Sequence, residues 1–433
     1  MTTRGRRRTA VVGGGIAGLT AAYRLGRAHD VTLYEADERL GGHAHTHELT
    51  SRDGAVRAVD SGFIVHNERT YPHLLRLFDE LDVPTQETEM SMSVRCEGCG
   101  LEYAGARGPR GLFARPGTAV RPSYLRMLSQ VPRFHRRARA LLHSGPHQGS
   151  GTDGGTDGTE TLGAFLSRCG FGPYFTAHFA IPLVSAVWSC PPGTALRYPA
   201  RYLFRFLDHH GMLSVGGSPQ WRTVSGGSAE YVRRVRKQLA AIRLSAPVRA
   251  VARQRDGVRI TTADGASATY DSVVVAVHAD QALRLLADPT EAERRVLGAF
   301  GYSRNRTVLH TDSALLPRSS GAQACWNYLL PDCRASGAQV RVSYDMNRLQ
   351  RLDAPETYVV TLNGDDRIRR DRVLAEMTYE HPLYTPQSVA AQRELPGLSG
   401  PVTAFAGAYH GWGFHEDGCR SGVEAAAALG VIA

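Results

Sequence analysis

The chain has 433 residues, 42% of them hydrophobic and 21% charged, with a formal net charge of +10. That length accommodates two domains with full cores, and no apolar run approaches the ~20 residues of a membrane-spanning helix. Seven scattered cysteines imply no disulfide framework. Nearly all the basic charge is arginine, Lys237 being the only lysine.

The N-terminus is basic and then apolar, as a secretory signal would be. Yet "TAVVGGGIAGLTAAYRL" describes a buried strand, a Gly-rich turn and a helix, with no small-residue cleavage site behind it. A cytoplasmic location is expected. Gly13-x-Gly15-x-x-Gly18 lies at the strand-to-helix turn, with Gly14, Ile16 and Ala17 between and after the glycines. The first Gly permits the tight turn, the second admits a pyrophosphate, and the third allows close helix–strand packing. "DVTLYEA" follows as the second strand and ends at Glu35, placed to accept hydrogen bonds from a ribose diol. A dinucleotide site is the consequence.

"RLGGHAHTHEL" comes next. His43, His45 and His47 alternate, so an extended strand would put three imidazoles on one face, as in many zinc sites. The competing expectation is a strand lining a nucleotide site. "TYPHLLRLFDELDV" is an amphipathic helix, and "MSMSVR" and "LEYAG" are strands joined through "CEGCG". Cys96-x-x-Cys99 has no second pair at zinc-ribbon spacing, so it reads as a hairpin turn, and no metal is expected.

From Arg107 to Arg139 arginines interleave with Leu, Phe, Tyr and Met, a composition suited to an anionic membrane surface or to a solvated helical face over core residues. No nucleic-acid motif accompanies the charge. The Gly/Ser/Thr/Asp-rich stretch 144–159 reads as a surface loop. After it come helical "TLGAFLSRCG" and the apolar, aromatic "RYLFRFLDHHG".

Beyond Gly226 the pattern returns to α/β. "GSAEYVRRVRKQLA" is a helix, "PVRAVARQ" and "GVRITTADG" are strands, and "YDSVVVAVHADQALRLLA" is a strand running into a helix. "RTVLHTD" and "QVRVSYDMN" are further strands, and the chain closes with strand "PVTAFAGA", a Gly-rich loop and helix "RSGVEAAAALGV". The fold expected is α/β: a doubly wound parallel sheet of Rossmann type, discontinuous in sequence (1–90, 211–290 and 386–433), with an inserted α+β substrate domain (91–210 and 291–385).

Glu35-Ala36-Asp-Glu-Arg39-Leu-Gly41-Gly42 resembles the extended signature of the flavin amine oxidase and phytoene desaturase superfamily, in which the acid, the Arg and the paired glycines wrap an FAD. "PVRAV" resembles the strand whose backbone meets the adenine, making Val248 the candidate. "FAGAYHGWGFHEDGCRSGVEAAAALG" resembles the C-terminal flavin-binding stretch, with Gly407, Phe414, Asp417 and Gly418 as candidates. There the N-terminus of a helix, around Gly418 to Ser421, would support the negative charge of reduced flavin. Asp417 is the expected cap, with Arg420 as cationic support. In this frame His43 stands where many relatives carry a cofactor-contacting Arg, and Phe63 in "SGFIVHN" approaches the flavin. Noncovalent FAD is implied, although Cys419 is nearby.

"DSGFIVHNERTYPHLLRLFDELDV", "FLDHHGMLSVGGSPQWRTVSGGSAEYV" and "GFHEDGCRSG" further resemble a bacterial group of NAD/FAD-binding amine-oxidase-like proteins. Several members are encoded beside cyclopropane-fatty-acid-synthase-like methyltransferases, and some are implicated in desaturating methyl-branched acyl chains. The resemblance implies hydride transfer from an apolar chain, a lipid-modifying methyltransferase in the same pathway, and contact with the inner membrane face. Amine oxidases of the superfamily commonly place a lysine near flavin N5. Here "SRNRTVLHTD" offers Asn305, Arg306 and His310 instead.

For substrate-side acid/base work the candidates are His210 first and His209 second, with His415 and Glu416 beside the flavin-binding loop. For the first two, the alternative is an imidazole packed against cofactor or bonded to backbone. Tyr409, Trp412 and Phe414 are expected as apolar walls, and Trp188 and Trp221 as core. The rival functions are a small-amine oxidase, a redox-silent flavin-binding partner protein, and a flavin-dependent isomerase with arginines converging on a diphosphate.

Overall fold

In the computed structural model, residues 6–144, 160–214, 216–334 and 339–431 are described. Beyond Ser144, the expected loop 144–159 lies outside them.

Five parallel strands form the nucleotide-type sheet in the order Ala241–Arg243, His29–Tyr34, Arg7–Val12, Ser272–Val275, Thr403–Phe405. Side chains alternate across a strand, so each strand feeds two cores. Val11, Leu33 and Val274 pack under the fingerprint helix Ile16–Leu25 and the C-terminal helix His415–Ala428. Ala10, Val12, Val273 and Val275 face the other way. There they meet the antiparallel meander Val248–Gln254, Gly257–Thr262, Ser267–Tyr270 and the helices Ala279–Leu285 and Glu291–Leu297.

The second large sheet has seven strands, in the order Val373–Leu383, Gly301–His310, Val359–Leu362, Val342–Asp345, Trp326–Leu330, Met92–Cys96, Glu102–Ala104. It is antiparallel except where Trp326–Leu330 pairs with Met92–Cys96. An apolar helical layer packs against it: Pro122–His143, Leu162–Arg168, the run from Pro173 to Trp188, and Ala200–His209. The Cys96–Cys99 turn does join two antiparallel strands.

Two expectations change. The C-terminal helix starts at His415, three residues before Gly418, so Asp417 is inside its first turn. The capping role persists from there, because the Asp417 carboxylate accepts the N–H groups of Trp412 and Phe414. Nor do the three histidines share a strand face. His43 sits in the turn after Gly42, and the strand begins only at Thr46. The His45 and His47 rings lie 4.1 Å apart, bonded to Tyr379 and Ser61 respectively, whereas His43 packs against Tyr379 and His381.

Candidate active site

A cavity of about 1170 Å³ runs from the fingerprint turn into the helical layer. At one end it is bordered by Gly13, Gly14, Gly15, Ile16 and Ala17, by Glu35 and Ala36, and by Val248. Gly13 takes φ +105°, open to glycine alone, and a side chain there would overlap the Ala276 carbonyl. A methyl on Gly18 would overlap the Gly13 carbonyl oxygen, so the helix cannot approach the strand this closely with any larger residue. At Gly15 an added Cβ would meet no protein atom within 4 Å; that side of the turn is open space. The Gly14 N–H donates to Glu35 Oε2 at 2.6 Å, and Asp37 N–H donates to the other oxygen at 2.9 Å, which fixes the acid at the end of its strand.

The middle of the cavity is bordered by Gly41, Gly42, His43, Phe63, Gly407, Phe414 and His415. Two helix N-termini therefore reach it, those of Ile16–Leu25 and His415–Ala428, each with N–H groups that have no intrahelical acceptor. Arg39 does not border the cavity; its guanidinium donates to the Gly42 and Ala44 carbonyls and braces the paired-glycine turn from outside. Gly418 lies just behind, where a Cβ would come within 2.7 Å of Ile16 Cγ2, so the two helices cross in close contact. Arg420 bonds to Asp417 and to the His410 carbonyl, away from the cavity. Cys419 is fully buried against Thr20, its thiol pushed up to about 12 by burial. These features fit an FAD: open glycines and helix ends for the phosphates, Glu35 for the ribose, Val248 for the adenine side, and a second helix end at the flavin side.

The catalytic candidates separate. His210 borders the cavity, buried and stacked on Phe206 at 4.0 Å. Its Nδ1–H donates to the Phe206 carbonyl, leaving Nε2 as the lone-pair atom, and burial holds its pKa down to about 4. His415 also borders the cavity, stacked on Phe63 at 3.7 Å with Nε2 3.1 Å from the Tyr231 hydroxyl and a pKa held down to about 3 by burial. His209 is exposed on the outer face and is not at the cavity. Glu416 is corrected as well: its two oxygens accept the His73 and Leu74 N–H groups and cap the helix Pro72–Glu80. That direction of approach takes the carboxylate off the cavity and out of the chemistry.

Strand Val373–Leu383 supplies what the sequence did not flag. Tyr379 and His381 both border the cavity. Asn305 Nδ2 donates to His381 Nδ1 at 3.0 Å, so the proton of this imidazole sits on Nε2, and burial holds its pKa down to about 4. Of the three residues expected in place of a lysine, Asn305 alone turns toward the site. Arg306 is paired with Asp365 and Glu376, and His310 bonds to Thr361 inside the sheet. Lys237 is exposed on the helix Ala229–Gln238. His43 is likewise held well below the usual imidazole range, first by burial and then by the neighbouring His381.

The far end of the cavity is apolar. Met92, Val94, Leu128, Val131, Phe179 and Leu183 face it, and among the described bordering residues from Ser61 to Trp221 there is no Asp, Glu, Lys or Arg; the bordering acids are Glu35, Asp37 and Glu380, the last paired with His278 and Arg304. Tyr409, Trp412 and Phe414 form walls. Trp188 and Trp221, expected in the core, also reach the cavity. Among its described bordering residues there is one arginine, Arg284, which is ion-paired with Asp280.

Residues 16–310 match the family described as flavin containing amine oxidoreductase. The (S)-6-hydroxynicotine oxidase of Paenarthrobacter nicotinovorans is 26% identical over 291 residues, covering 66% of this chain and 63% of that enzyme, so the chain spans less than two thirds of this relative's length. The flavin-dependent L-tryptophan oxidase RebO of Lentzea aerocolonigenes is 41% identical over 61 residues, covering 14% of this chain and 13% of that enzyme. Among solved structures, cyclohexylamine oxidase from Brevibacterium oxydans superposes with a TM-score of 0.67 at 16% identity, over 98% of each chain. A CLA-producing fatty acid isomerase from P. acnes does so at 0.65 and 17%, again over 98% of each. At that identity they establish the fold. The chain belongs to the flavin containing amine oxidoreductase family, and its site fits an FAD.

Proposed function

We propose that this enzyme desaturates, or isomerises through a redox step, an apolar chain, with a fatty acyl group as the substrate class. The observation that carries the proposal is the group of apolar side chains, Met92, Val94, Leu128, Val131, Phe179 and Leu183, that border the cavity together. Placing an unpaired ammonium there costs several kcal/mol, whereas each methylene buried gains about 0.8 kcal/mol. When bound, FAD supplies a hydride acceptor. The chain's part is to hold the acyl segment between Phe179, Leu183 and Phe206 and to exclude water. It also sets two imidazoles of opposite hydrogen-bonding character at the site. His210 presents an unprotonated Nε2 that can take up a proton, and His381 presents an Nε2–H that can donate.

Entry from a membrane fits the same geometry. Leu128, Val131 and His135 of the helix Pro122–His143 border the cavity. The surface around that helix exposes Phe113, Val120 (79% exposed) and Leu125 amid arginines. Peripheral docking on an anionic bilayer, with an acyl chain passing inward along this helix, is part of the proposal. So is a methyltransferase acting on the same chains.

The test is anaerobic addition of bacterial phospholipid to the FAD-loaded enzyme. Bleaching of the oxidised flavin bands is expected, with an altered double bond in the recovered acyl chains. Bleaching by small amines but by no lipid would overturn the proposal in favour of amine oxidation. That second possibility has its own support in the 291-residue likeness to a hydroxynicotine oxidase.

A further inference from the structure

The turn at Cys96 and Cys99 acquires partners in the fold. The sulfur of Cys333, 237 residues after Cys96, lies 3.8 Å from Cys96 Sγ. The Nε2 of His178, 79 residues after Cys99, lies 3.7 Å from Cys99 Sγ. All four donor atoms fall within 4.8 Å of one another. Three thiolates about 2.3 Å and an imidazole nitrogen about 2.0 Å from a zinc ion make a tetrahedron with edges of roughly 3.6 to 3.8 Å. Two of the six edges already have that length, and disulfide bonding would need sulfurs at about 2.05 Å.

Each ligand is also oriented from behind. His178 is fully buried and its Nδ1–H donates to the Tyr174 carbonyl at 3.0 Å. That bond leaves the Nε2 lone pair facing the three sulfurs, the arrangement that backs a metal-bound imidazole. The ring is further clamped by stacking on Tyr174 at 4.0 Å. His178 sits in a π-helical turn, Thr176–Ala180, a local widening that turns its side chain out of the ordinary helical spacing. On the hairpin side, the Cys99 backbone hydrogen-bonds to the Cys96 sulfur and the Leu101 backbone to the Cys99 sulfur. Gly100 takes φ +68° to close that turn, and at Gly98 a side chain would press on the backbone of Asp332 and Cys333 at 3.1 Å. The two loops are held together at the distance a shared ion requires.

We propose that Cys96, Cys99, Cys333 and His178 bind one zinc ion in a closed, structural site. Four protein donors leave no open position for substrate, so the ion's work is mechanical. It ties the hairpin Met92–Ala104, the helical run Pro173–Trp188 and the loop after strand Trp326–Leu330 into one unit. Met92, Val94, Phe179 and Leu183 of those segments border the apolar end of the cavity, so the ion braces its wall. On binding, the thiols give up their protons to solvent, which makes affinity fall with acid.

The test is metal analysis of FAD-loaded protein, purified without metal affinity resin and dialysed against metal-free reduced buffer. About one zinc per chain is expected. Cobalt exchanged into the chelator-stripped wild type should give intense tetrahedral d–d absorption with thiolate charge-transfer bands. Cys333→Ser, which alters an exposed residue, should retain its flavin spectrum and lose at least tenfold in zinc affinity. The proposal is overturned if reduced wild-type protein retains neither zinc nor cobalt after desalting, or if Cys333→Ser and His178→Ala hold the metal as tightly as wild type.

Discussion

Replacing His66 by leucine isolates the free energy stored in a buried neutral imidazole. His66 is fully buried in the strand Val65–Asn67, and neither ring nitrogen has a hydrogen-bond partner among the described residues. Its neighbours are aromatic: Phe78 at 5.3 Å, Tyr71 at 6.3 Å and Phe63 at 6.5 Å. Burial, and secondarily Arg222, hold its pKa at about 4 against 6.5 in the unfolded chain. The folded state therefore refuses a proton that the unfolded state accepts, and stability is lost as pH falls through the window from 6.5 to 4. Between pH 7 and pH 5 the linkage integral for this one residue is about 1.8 kcal/mol. Leucine has no such term, so the stability difference between variant and wild type should widen by that amount on acidification. Unfolding entropy of about 2.1 cal/mol/K per residue makes 1.8 kcal/mol roughly 2 °C in a chain of 433 residues.

The assay is thermal melting of both proteins with saturating FAD at pH 7 and pH 5, comparing the change in the Tm difference. Carboxylates with raised pKa, such as Asp60 and Asp417 at about 6, shift both proteins alike and cancel. An unchanged Tm difference at the two pH values would refute the buried, proton-excluding state of His66.

Gly18→Ala should abolish stable FAD retention, read as the ratio of flavin to protein absorbance, because its methyl collides with the Gly13 carbonyl rather than with a movable side chain. His210→Asn should lower kcat by about 10²–10⁴-fold while leaving the flavin spectrum intact, if its Nε2 takes the substrate proton. Leu183→Glu places a carboxylate among the apolar residues that border the cavity and should raise KM for an acyl substrate by about 100-fold or more, with FAD still bound. Converting Phe113, Val120 and Leu125 together to serine should weaken binding to anionic phospholipid vesicles by at least ~10-fold without changing Tm, as a sedimentation assay would show.

What the sequence made visible was local chemistry. Gly13, Gly15, Gly18 and Glu35 belong to one strand–turn–helix–strand unit, so spacing alone places them, and all of the predicted turn borders the cavity or packs directly behind it. The helix start at His415 was hidden because its cap residue is Phe414, which carries no capping signal, with Asp417 reaching back from the third position. Mislocating that start by one turn is what made Glu416 look like a cavity residue. His381 and Tyr379 were invisible for a different reason. They reach the site through antiparallel register with Ser303 and Asn305, a pairing across more than 70 residues that no local pattern encodes. The partners of Cys96 and Cys99 are remoter still, so a search for zinc-ribbon spacing finds half a site.

The electrostatics of the cavity follow from what is missing as much as from what is present. No lysine reaches it, Arg39 and Arg420 bond to the backbone behind it, and Arg284 is spent on Asp280. The imidazoles of His43, His210, His381 and His415 are kept neutral by burial, with His381 further opposing a proton on His43 and His278 opposing one on His381. Positive potential toward a bound anionic group then comes from two helix N-termini, whose field is fixed in direction and falls off within about a turn. A guanidinium or ammonium at the same place would extend its charge into the adjoining compartment and hold water there. Helix ends would stabilise phosphate and reduced flavin while leaving the next few ångströms apolar, and that separation would let one cavity take a polyanionic cofactor beside the hydrocarbon chain proposed as substrate.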